Sequence, residues 1–87
     1  MATLYKANGD IITIKPRRKG LSIRDLQKAV GGYVQFIHLN GNYLAVDEDG
    51  LDKERPYNYN ASAIVYQFGY KAVVGDAVYL KEEEMPQ

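Results

Sequence analysis

Two Asn-Gly dipeptides, Asn8-Gly9 and Asn40-Gly41, constrain this 87-residue chain more than any other feature. A two-residue hairpin turn needs positive φ at both central residues, and Asn-Gly meets that need at little cost. Residues 3–7 and 11–15 flank the first pair. The run Ile11-Ile12-Thr13-Ile14 is β-branched throughout, which favours strand over helix. Pro16 ends it, because proline cannot donate to a ladder. Residues 33–39 and 42–47 flank the second pair.

Pairing outward from Asn40-Gly41 sets Leu39 opposite Asn42, His38 opposite Tyr43, Ile37 opposite Leu44, Phe36 opposite Ala45 and Gln35 opposite Val46. One face then collects Ile37, Leu39, Leu44 and Val46. The other collects Val34, Phe36, Tyr43 and Ala45. A half-solvated hairpin is polar on one side. This one is apolar on both, so a second layer must cover it. The C-terminal part of the chain, a second subunit or a ligand could serve.

Between the hairpins, Leu21-Ser22-Ile23-Arg24-Asp25-Leu26 has the form of a helix start. Ser22 can cap the first amides, Asp25 stands where a capping box has its acceptor, and Leu21 and Leu26 are spaced as a hydrophobic staple. Ile23, Leu26, Ala29 and Val30 recur at helical spacing, and Gly31-Gly32 ends the helix. After Pro56, Asn60 can cap a short helix to about Tyr66, with Ala61, Ile64 and Val65 facing inward. Residues 72–80 predict a last strand, broken at Gly75-Asp76 by a bulge or close backbone approach. The expected architecture is α+β: a small antiparallel or mixed sheet of four to five strands, one main helix and a second short one. Residues 1–81 form the single domain, and 82–87 a flexible acidic tail.

The functional classes narrow by what is scarce. There are no cysteines and one histidine, so thiolate chemistry is excluded and a metal would need carboxylates. Asp47, Glu48, Asp49 and Asp52 are close in sequence, yet they miss the calcium-loop spacing and read as a solvated turn. No apolar run approaches the roughly 20 residues of a membrane span, and no apolar leader opens the chain. Ser22 and Ser62 lack the partners of a nucleophile. No catalytic residue, metal ligand or cofactor is assigned.

Charge is uneven. Residues 1–32 carry seven basic and two acidic side chains, a net of +5; residues 33–87 carry four and nine, a net of −5. Arg17, Arg18 and Lys19 precede the first helix, whose free amides also attract anions. With Arg24 they form the candidate anion patch, against the plainer reading of a solvated loop. The second anomaly is tyrosine, eight residues with no tryptophan. Tyr57, Tyr59, Tyr66 and Tyr70 gather in the least regular stretch, and tyrosine suits interfaces. That half of the chain is acidic, which counts against nucleic acid. His38, on the strand face with Phe36 and opposite Tyr43, reads as a structural or interface histidine. Phe36, His38, Tyr43, Tyr57 and Tyr59 are the interface candidates.

Three stretches carry a family pattern: Leu26-Gln27-Lys28-Ala29-Val30-Gly31-Gly32-Tyr33-Val34, Leu44-Ala45-Val46-Asp47-Glu48-Asp49-Gly50, and Asn60-Ala61-Ser62 followed by Val73-Val74-Gly75-Asp76-Ala77. Over roughly residues 11–80 the chain resembles DUF3846, a family of small proteins of unknown function encoded by phages, plasmids and bacteria. The resemblance implies a cytoplasmic accessory protein of a mobile element and supplies no reaction. The expected function is therefore non-enzymatic binding of a host protein. The alternative is binding of a nucleotide-like or other small anion, and a small enzyme ranks last. A homodimer is also expected, joined through one face of the 33–47 hairpin near Phe36 or Tyr43, because one short helix cannot cover two faces.

Overall fold

A computed structural model describes residues 2–15 and 21–86. Its elements run β1 (Ala2–Tyr5), β2 (Ile11–Ile14), α1 (Ile23–Val30), β3 (Val34–Leu39), β4 (Asn42–Asp47), α2 (Tyr59–Tyr66) and β5 (Ala77–Lys81), followed by a short 3-10 helix, Glu82–Glu84. The strands form one five-stranded sheet in the order β2-β1-β5-β4-β3, with every neighbouring pair antiparallel. This is the expected small α+β fold with two helices. The last strand is the central one and joins the two hairpins.

The second hairpin has the register that its turn implies, from Leu39↔Asn42 through Gln35↔Val46. Asn40 and Gly41 both take positive φ, 50° and 98°, as a type I′ turn requires. The first hairpin differs. Tyr5 pairs with Ile11, so the connection is Lys6–Asp10, and only Gly9 in it has positive φ. Lys6 N–H donates to Asp10 O and Gly9 N–H to Lys6 O, the pattern of a longer loop ending in a left-handed glycine. The Asn8 carboxamide is used locally, accepting from Asp10 N–H at 2.9 Å. That side-chain turn competes with the two-residue form.

Helix α1 begins as its sequence indicates. Ser22 Oγ accepts from Asp25 N–H, and the Asp25 carboxylate accepts from Ser22 N–H, completing a capping box. Gly31, at φ 82°, ends it, and both Gly31 and Gly32 N–H donate to Gln27 O. Leu21, Leu26 and Val30 bury against Ala2, Ala45, Val78 and Leu80 on one face of the sheet.

The other face is covered by α2. Ala61, Val65 and Val73 pack on Leu39, Leu44, Val46 and Ala77. The apolar second face of the hairpin is thus closed by the chain's own C-terminal half. That removes the premise on which a hairpin-face dimer was expected. Two local expectations change as well. The α2 cap is Asn58, not Asn60: its side chain accepts from Ala61 N–H at 3.0 Å. Residues 72–76 are not strand beyond one bridge, Tyr57↔Val74, and β5 starts at Ala77. Where an acidic tail was expected from residue 82, the chain turns through the 3-10 helix and sets Met85 half-buried against the α1 side of the core.

Candidate functional site

Arg17, Arg18 and Lys19, three of the four residues in the anion patch read from the sequence, lie outside the described residues. The fourth, Arg24, is exposed on the first turn of α1. The interface candidates divide into two groups. Phe36, His38 and Tyr43 share the α1 side of the β3–β4 hairpin. Phe36 and Tyr43 are half-buried against that core, with ring centroids 6.4 Å apart and edge to face. His38 is exposed, its ring 5.0 Å from that of Tyr43, and its Nε2 accepts from Gly41 N–H at 3.4 Å. These contacts give the histidine a structural place at the turn.

Tyr57 and Tyr59 belong to the segment that covers the opposite face. They stand edge to face at 4.6 Å, and both are exposed. Their surroundings form the most distinctive surface of the molecule. Residues 57–70 contain no charged side chain, although a quarter of the chain is charged. Within α2, Ala61, Ser62 and Val65 turn inward. Tyr59, Ala63 and Tyr66, spaced at i, i+4 and i+7, turn outward, and the two tyrosines are 78% and 76% exposed. Phe68 and Tyr70 extend the exposed aromatic run past the helix end. A surface helix normally puts charge on its outward face. This one puts rings there, so both of its faces are apolar.

What fixes that surface is a buried polar pin that the sequence reading missed. Asn58 is fully buried. Its Nδ2 donates to Tyr5 O at 2.7 Å and to Gly75 O at 2.8 Å, while Oδ1 caps α2. Ser62 adds a second link, its Oγ donating to Val73 O and accepting from Val73 N–H. One side chain thus ties β1, the 73–75 segment and α2 together. Nothing local marks Asn58 for this, since its partner Tyr5 is 53 residues away.

A second cluster holds the acidic turn. Asp47 is buried rather than solvated, which corrects the solvated-turn reading at that residue, while Glu48, Asp49 and Asp52 are exposed. Its carboxylate accepts from Lys53 Nζ at 3.0 Å and from Asp49 N–H at 2.9 Å, with Arg55 Nη2 at 3.4 Å. Burial alone would raise its pKa. The Lys53 and Asp49 hydrogen bonds and the Lys53 and Arg55 charges outweigh that and hold it below its ordinary value of 3.8. Lys53 and Arg55 also donate to Gly31 O, binding the turn to the end of α1. Gly32 lies against this pair: a Cβ there would meet Lys53 Nζ and come within 2.9 Å of Asp47 Oδ1, so Lys53 would have to shift to admit one. Among the described residues, no group of three His, Cys, Asp or Glu side chains is placed to hold a metal, and no helix is long and apolar enough to cross a membrane.

A family model described as Domain of unknown function (DUF3846) matches residues 4–85. The chain belongs to that family. The match takes in every element except the first two residues of β1, so nearly all of the sheet and the aromatic segment lie within the family domain. No curated protein and no solved structure matches the chain.

Proposed function

We propose that this DUF3846 protein is a cytoplasmic accessory factor of a phage or other mobile element that acts without catalysis, by docking on a host protein through the outward face of α2. The observation that carries the reading is the uncharged stretch 57–70, whose outward side chains are Tyr59, Ala63 and Tyr66, followed by Phe68 and Tyr70. Rigid tyrosines give a large contact area at low conformational cost, and the hydroxyl tolerates water in the free state. The pins at Asn58 and Ser62 fix the helix beforehand, which lowers the entropy lost on docking.

The test is affinity capture from host cells producing tagged protein, with wild type compared against Tyr59→Ser/Tyr66→Ser. The reading expects one host protein in stoichiometric yield with wild type and its loss with the variant, at unchanged melting temperature. Equal capture by both proteins, or a loss that tracks unfolding, would remove the α2 face from the account.

A further inference from the structure

Away from α2, a cleft of about 380 Å³ lies where the β1–β2 loop, the end of α1 and the segments around Arg55 and Gly75 meet. Its charged lining is Lys6, Lys28, Arg55 and Asp76. The single carboxylate is engaged, since Asp76 Oδ1 accepts from Ala7 N–H at 2.9 Å. The side-chain ammonium groups of Lys6 and Lys28 have no hydrogen bond or ion pair among the described residues. Arg55 is held at the wall by Gly31 O at 3.0 Å and Asp47 at 3.4 Å.

Three cations from three separate segments therefore converge on one concavity in a chain whose net charge is zero. Asp76 offsets one of these charges and Arg55 is already paired with Asp47, so the excess positive charge of the cleft sits on Lys6 and Lys28, where an anion would be favoured. Part of the lining is apolar, with Ala29, Val30 and Pro56, and no aromatic ring is present. The volume falls near the lower end of small-molecule sites, roughly 300–1,000 Å³. A site with this lining offers charge for a compact dianion and an aliphatic surface for a small body. It offers no ring on which a base could stack.

The geometry points to a binding site for a small aliphatic phosphate monoester, with Lys6 and Lys28 closing on the phosphate beside a fixed Arg55. This site is separate from the anion patch read from the sequence, and it does not depend on the α2 face.

The experiment is an amide NMR titration of the full chain with inorganic phosphate and with ribose 5-phosphate at constant ionic strength. Saturable shifts are expected at Ala7, Ala29, Gly31 and Gly75, with ribose 5-phosphate binding tighter than phosphate. Charge reversal by Lys6→Glu/Lys28→Glu should weaken binding by about tenfold or more, the loss expected when charge-assisted hydrogen bonds are removed. Lys6→Glu alone covers the case in which the change at Lys28 disturbs α1. Lys71→Glu, on the exposed 70–72 segment, is the charge control and should bind like wild type. Shifts that never saturate, or equal weakening by Lys71→Glu, would overturn the site. Equal affinity for phosphate and ribose 5-phosphate would overturn the ester assignment.

Discussion

Asp47 shows how one residue can mean something its neighbourhood in the sequence conceals. It stands first in an acidic run, yet its side chain is buried while Lys53 and Arg55, six and eight residues on, fold back to it. Glu54 between them takes a left-handed φ of 55°, and the reversed chain brings both basic side chains to one carboxylate. The signal is the pair Lys53 and Arg55 at the end of the acidic run, and it becomes legible only once the turn closes. Asp47→Asn should cost about 1–2 kcal/mol at neutral pH, a range kept low because both cations are more than a third exposed. The sign of the pH dependence follows from the lowered pKa. Unfolded chains take up the proton first as pH falls, so the contribution is complete above 3.8 and lost through the lower folded value. Urea unfolding of both proteins across that range should show the wild-type advantage shrinking at acid pH. An advantage independent of pH would mean that the carboxylate charge contributes nothing.

At the scale of elements, the legible parts are those whose determinants are local. The register of β3 and β4 follows from one turn, and the α1 cap follows from residues three apart. Ser22→Ala should therefore destabilise the protein by about 0.5–2 kcal/mol, read as a lower urea midpoint at constant slope. An unchanged midpoint would mean the capping box is energetically idle. Elements set by distant contacts were misplaced. Local sequence allows Asn60 as the cap of α2. The true cap, Asn58, is selected by Tyr5 O and Gly75 O, which no local pattern announces. The β1–β2 connection departs from a two-residue turn for the opposite reason, a local bond from Asp10 N–H to Asn8 Oδ1 within a longer loop.

For the whole molecule, the apolar character of both hairpin faces correctly demanded two layers, and the chain supplies both. Helix α1 covers one face and α2 the other, with β5 between the hairpins feeding Val78 and Leu80 to the first core and Ala77 to the second. With the sheet closed, the unexplained apolar surface moves to the outside of α2. The interface candidates Tyr57 and Tyr59 lie there; Phe36 and Tyr43 are occupied by packing. A photo-crosslinking residue at Ala63, between the exposed tyrosines of α2, tests the docking claim most directly when introduced into the full chain in host cells. The account predicts one discrete heterologous adduct from position 63 and none from the exposed β2 position Thr13. No adduct at 63, an adduct with a second copy alone, or the same adducts from both positions would contradict it.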